Sequence, residues 1–175
     1  MIFWIAQIIG VIALLMVIVS FQQRTQKRIM FFQLFSTALF VVHFSLLGLY
    51  TGSILNAVAF FRSLVYYNKD KKWGNTPLWP AVFTAVSVVA GIVTWDGALS
   101  LLPMLAMVLS SVSTWLSSAK LVRIFNLPGS AMWMVYNFAG QSYPGAVTEI
   151  ISTVSVIVGI IRLDLRKNKD VTPNR

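Results

Sequence analysis

The chain has 175 residues, 57% of them hydrophobic and only 11% charged, with a formal net charge of +9. A soluble domain carries about twice that charged fraction, so the composition excludes one and leaves a single polytopic membrane domain. The absence of cysteine excludes disulfides, thiolate metal sites and a cysteine nucleophile, and a lone histidine, His43, excludes a multi-histidine metal site.

The first segment, Ile2–Phe21, is apolar and has no basic residue before it, so it reads as a retained helix rather than a signal peptide. Helix 2 is expected at Phe31–Tyr50 and helix 3 at Ser53–Asn68, separated by a tight break at Thr51-Gly52. Helix 4 follows at Pro80–Trp95, and helix 5 at Ala98–Ser117 after Asp96-Gly97. Helix 6 is expected at Leu127–Ser142, with Pro128 in its first turn, where proline is favoured. Tyr143-Pro144-Gly145 makes a second tight break before helix 7 at Ala146–Arg162. Trp73, Trp79 and Trp95 fall at helix ends and read as interfacial anchors.

The positive charges give an independent test of this count. Arg24, Lys27 and Arg28 fall between helices 1 and 2, Lys69, Lys71 and Lys72 between helices 3 and 4, and Lys120 and Arg123 between helices 5 and 6. Arg162, Arg166, Lys167, Lys169 and Arg175 lie at or after the end of helix 7, and the alternate loops carry only Asp96. Basic residues collect in cytoplasmic loops, so the pattern predicts seven spanning helices with the N-terminus out and the C-terminus in. It also accounts for the net charge without a nucleic-acid partner.

Shifting the sequence by 93 residues lays helices 1–3 over helices 5–7 without a gap. Tyr50 and Gly52 fall on Tyr143 and Gly145, Ala13 on Ala106, Ser20 on Ser113, Lys27 on Lys120 and Phe32 on Phe125. Identity is low, but helix ends, turns and basic loops share one register. The expected organisation is a triple-helix bundle over residues 1–69, a linker helix at 79–95, a second bundle at 97–163 and a tail at 164–175. Three helices plus a linker return the chain to the same side, so the repeat is expected to be parallel, about an axis along the membrane normal.

The order and spacing of several segments resemble the YgjV-type family of bacterial inner-membrane proteins. They are Trp4-Ile-Ala-Gln7 with Gly10-Val-Ile-Ala13, His43-Phe-Ser-Leu-Leu-Gly48 through Leu55-Asn56-Ala57, Leu101-Leu-Pro103 with Ser113-Thr-Trp115, and Trp133-Met-Val-Tyr-Asn137 leading to Glu149 and Ile160-Ile-Arg162. This resemblance implies a distant relation to the SWEET, SemiSWEET and PQ-loop transporters, which share a three-helix bundle. Such proteins line their cavity with an asparagine on helix 3 and another on helix 7. Asn56 looks like the first, while Glu149 stands at the position of the second and departs from the pattern of a neutral-sugar site.

Glu149 is the sole carboxylate inside an expected helix. A buried ionised carboxylate is costly unless paired or protonated, so it reads either as a substrate- or proton-binding group or as a hydrated helix end. Asn56, which falls on Glu149 in the repeat, reads as a second cavity group or as an interhelical hydrogen bond. Arg62 either binds an anionic group, pairing with Glu149 through water, or snorkels to the basic side. His43 on helix 2 and Tyr136 and Asn137 on helix 6 form a further polar layer, and Trp133 reads as a stacking platform or as packing. Gly10 and Pro103 coincide in the repeat and are read as hinges or as close contacts, since both disturb a helix ladder. No nucleophile–base pair, metal set or phosphate loop supports an enzyme, and no cofactor is expected. The expected partners are the lipid bilayer and a small solute; a homo-oligomer is compatible, although one chain holds both bundles.

Overall fold

The computed structural model describes residues 1–21, 26–116 and 119–161. These form seven α-helices: α1 Ile2–Phe21, α2 Gln26–Leu46, α3 Tyr50–Tyr67, α4 Leu78–Val93, α5 Leu101–Ser113, α6 Ala119–Ala139 and α7 Tyr143–Gly159. A 3-10 turn at Ala98–Ser100 leads into α5, and no strand occurs among the described residues. Arg24, Ser117, Arg162 and the tail through Arg175 lie outside them.

The helix count stands as expected, but several boundaries move. The reversal between α2 and α3 lies at residues 47–49, so Thr51-Gly52 belongs to the first turn of α3. Gly48 takes a φ of +74° there, a left-handed conformation that glycine adopts without a Cβ clash. Leu49 N–H then reaches back to the Phe44 carbonyl at 2.9 Å, closing the end of α2. Between α6 and α7, Gln141 has a φ of 56°, and Ser142 N–H bonds to the Asn137 carbonyl at 2.8 Å. Helix α7 therefore begins at Tyr143, with Pro144 in its first turn, where its missing N–H costs nothing.

Helix α6 starts at Ala119, not at Leu127, and Pro128 lies inside it. Basic residues mark where a helix leaves the apolar region rather than where it ends, because their long stems let the head reach water while the backbone stays helical. The same reasoning extends α2 back to Gln26, through Arg28. Helix α5 stops at Ser113 and is shorter than expected.

In each triplet the middle helix packs on both neighbours, α2 on α1 and α3, and α6 on α5 and α7. The triplets meet where α1 packs on α7 and α3 on α5, while α4 lies against α3 and α5. One apolar core gathers Leu55, Val58, Tyr66, Phe83 and Met107. The other gathers Ala13, Phe40, Phe44 and Tyr136. Trp133 of α6 packs against both. Small residues allow close helix approach: a Cβ at Gly91 would stand 2.6 Å from Met104 Sδ, so any larger residue there would force the Met104 side chain to move. The buried serine hydroxyls are bonded rather than orphaned, as in Ser36 to the Ala13 carbonyl at 2.9 Å and Ser87 to the Phe83 carbonyl at 2.6 Å.

Candidate functional site: a polar cavity beneath a latched helix end

A cavity of about 280 Å³ opens between the two triplets. Helices α2, α3, α5, α6 and α7 line it, and Asn56, Arg62, Trp133, Asn137 and Glu149 all contribute to its wall. These are five of the seven residues that the sequence nominates for a binding site. Asn56 and Glu149 each lie six residues beyond the first residue of their helix, Tyr50 of α3 and Tyr143 of α7.

Arg62 is 9% exposed and does not snorkel. Its Nη1 donates to Ser110 Oγ at 2.6 Å and Ser111 Oγ at 3.1 Å, both on α5. Glu149 instead accepts a hydrogen bond from Ser130 on α6. The two charges thus share one cavity while each is held by hydroxyls from a different helix. Asn56 Nδ2 bonds to the Gly52 carbonyl one turn back on its own helix at 2.9 Å, not to another helix. Asn137 is 2% exposed, and its Oδ1 is a buried acceptor without a hydrogen-bond partner. Phe44 stacks on Trp133 at 6.0 Å and 30°, making the aromatic part of the wall.

His43 and Tyr136, which the sequence groups with the binding layer, are absent from this wall. Both are latches between the triplets. His43 is fully buried, with Nδ1 2.7 Å from the Ala6 carbonyl and Nε2 2.7 Å from Ser142 Oγ. A carbonyl only accepts, so the neutral ring carries its proton on Nδ1 and accepts the Ser142 hydroxyl proton at Nε2. Tyr136 makes the reciprocal contact: its hydroxyl oxygen accepts the Gly52 N–H at 3.0 Å. Gly52 lies in the first turn of α3, where N–H groups have no carbonyl within the helix, so Tyr136 caps that helix from the opposite triplet. The rings need glycine beneath them. A Cβ on Gly52 would stand 2.8 Å from the Tyr136 ring, and one on Gly10 would stand 2.8 Å from the His43 ring.

Gly10 is therefore a close-contact position. Pro103 is buried in the first turn of α5, where a helix has no ladder bond to lose. The proline that interrupts a ladder is Pro128, beside the cavity-lining Gly129 and Ser130. The sequence reading missed Ser110, Ser111 and Ser130. Serine is common at helix contacts, and no pattern in the chain set these three apart. Among the described residues, no group of three or more His, Cys, Asp or Glu side chains could hold a metal ion.

The family model Imp-YgjV, a bacterial inner membrane protein, matches residues 4–167. The inner membrane protein YgjV of Escherichia coli strain K12 is 26% identical over 174 residues, which cover 98% of this chain and 91% of that protein. No solved structure matches the chain.

Proposed function

The chain belongs to the Imp-YgjV family of bacterial inner membrane proteins, and from that premise we propose that it is a small-solute transporter or facilitator with its binding site between two triple-helix bundles. The observation that carries this reading is the cavity that collects Asn56, Arg62, Asn137 and Glu149 from both bundles. Charged groups within a membrane region are costly, and a water-filled or ligand-filled cavity is where they are tolerated.

On this reading all seven helices cross the inner membrane. The Ile2–Ser20 segment is long and apolar enough to do so by itself, and of the shorter apolar helices α2 and α7 pack against it. Large apolar side chains cover the outside, among them Trp4, Ile8, Leu15, Val89, Val93 and Val154. The ends that hold Gly48, Asp96 and Gln141 face the periplasm, and those that hold Lys69 and Lys120 face the cytoplasm.

Support for a parallel repeat comes from the two turns. Leu47 N–H to His43 O, Gly48 to Ser45, Leu49 to Phe44 and Ser53 to Leu49 recur as Gly140 to Tyr136, Gln141 to Phe138, Ser142 to Asn137 and Ala146 to Ser142. Each bond is displaced by the same 93 residues as the sequence register. The packing of α1 on α7 likewise maps onto that of α5 on α3. The SWEET-like 3+1+3 arrangement rests on these correspondences, and so does the idea that the bundles rock about the cavity.

The lack of native cysteine makes a direct test available. Single cysteines at Asn56, Ser130 and Glu149 are expected to react with a membrane-impermeant maleimide in inverted vesicles, and in right-side-out vesicles when the bundles rock. A cysteine at Leu55, which is fully buried, is the control. Cavity cysteines that react no faster than the control from either side would favour a non-transporting scaffold or assembly factor.

A further inference from the structure

The cavity wall carries one guanidinium and one carboxylate that are not bonded to each other. Arg62 engages Ser110 and Ser111 through Nη1, which leaves the N–H groups on Nη2 and Nε for a ligand. Glu149 accepts from Ser130 and keeps further acceptor capacity. Their placement is polar along the helix axis. Arg62 lies six residues beyond Asn56 on α3, about 9 Å nearer the basic-loop end. Glu149 sits at the level of Asn56, and Asn137, with its unpartnered Oδ1, lies still closer to the turn end. The guanidinium and the carboxylate are therefore offset along the helix axis within one cavity.

Resting on the transport reading, we propose that the ligand is a small zwitterion, with its anionic oxygens on Arg62 and its ammonium on Glu149 and Asn137. A guanidinium fork matches a carboxylate or phosphate, and an ammonium needs acceptors on several sides. Charge balance favours the same class. A zwitterion pairs both buried charges and adds no net charge, whereas a lone anion or cation leaves one of them unmatched. A neutral sugar pairs neither. Phe40, Phe44 and Trp133 offer an apolar wall to the rest of the ligand. The same chemistry is available from two sources, a free amino acid or the headgroup of phosphatidylethanolamine.

The test is thermal melting of the purified full chain. In dodecylmaltoside it is challenged with the standard amino acids, with two analogues of leucine (4-methylpentanoate without the amine and isopentylamine without the acid), and with glucose as a neutral polyol. An amino acid is expected to raise the melting temperature by about 5 °C at a hundredfold excess over its Kd, and the analogues to do little. In parallel, nanodiscs of phosphatidylglycerol are compared with nanodiscs containing phosphatidylethanolamine. Stabilisation by the lipid alone upholds the zwitterion site but sinks solute transport. A single-charge analogue or glucose that matches the best amino acid overturns the zwitterion and leaves transport standing. No stabilisation in any arm overturns both.

Glu149→Gln keeps the shape of the side chain. It is expected to weaken amino-acid binding at least about tenfold while the 4-methylpentanoate affinity holds or improves. Arg62→Gln is expected to give the opposite preference, towards isopentylamine. Arg62 also ties α3 to α5, so if that variant does not fold, Glu149→Gln decides the matter. Unchanged selectivity in Glu149→Gln overturns the assignment.

Discussion

The turn end of the molecule and the cavity beneath it are built from the same helices, yet they use polar residues in opposite ways. At the turn end, His43, Ser142, Tyr136, Gly52, Thr51 and Ser100 are neutral, buried and bonded to one another or to backbone across the triplets. In the cavity, Arg62 and Glu149 are ionisable groups with unused bonding capacity, and the Asn137 oxygen has no partner. The lesson is that a polar residue in a membrane helix becomes a candidate for ligand binding by having valence left over. A fully satisfied one is a fastener.

The comparison makes separate demands on the two regions. Changes at the turn end should reduce stability and leave ligand preference alone, and in the cavity Glu149, which unlike Arg62 does not tie α3 to α5, should do the reverse when changed. The largest effect is expected for Gly52→Val, because its Cβ would already meet the Tyr136 ring at 2.8 Å. Overpacking there is expected to cost about 3 kcal/mol, read as a loss of well over half the folded protein in a detergent melting series. A fully stable Gly52→Val would show that the latch is not tightly packed. His43→Ala comes next. It removes a fully buried ring and both of its bonds, to Ala6 and Ser142, for an expected loss of about 2 kcal/mol.

Tyr136→Phe keeps the ring and takes away the cap on Gly52 N–H, so its expected cost is about 1 kcal/mol. Reporter hydrogen exchange at the start of α3 should rise in this variant and stay unchanged at the start of α7. Faster exchange at both helix starts would mean that the two latches act as one. The smallest effect on stability is expected for Glu149→Gln, which removes a charge held by only one hydroxyl and leaves the packing intact. Its melting temperature without ligand should stay within about 2 °C of the parent or rise slightly. A marked fall would move Glu149 into the fastener class and erase the distinction between the regions.

Much of this architecture was readable beforehand. Apolar runs punctuated by glycine, proline and lysine were enough for seven helices, and the register of 93 residues pointed to equivalent turns. Asn56, Arg62, Asn137 and Glu149 stood out because charged and amide side chains well inside the helices are few. The helix ends were harder. Gly48 and Gln141 make the reversals one turn before the Thr51-Gly52 and Pro144-Gly145 pairs that looked like breaks. A proline or glycine in the first turn of a helix leaves the same sequence signature as one just outside it.

Composition and periodicity determined what this chain is made of, a cysteine-free, basic, helical membrane protein, because burying apolar length and keeping lysines out of the apolar region are properties each segment carries alone. Which polar side chains face one another was decided only by the tertiary structure. The sequence grouped His43 and Tyr136 with Glu149, and the fold separated them, placing two at the turn end and the third in the cavity. It also recruited Ser110, Ser111 and Ser130 to hold the two charges. Such pairings depend on how helices far apart in the chain rotate and slide against one another. That is set by the packing of Trp133, Gly10, Gly52 and Gly91 against their neighbours, and no single helix encodes it.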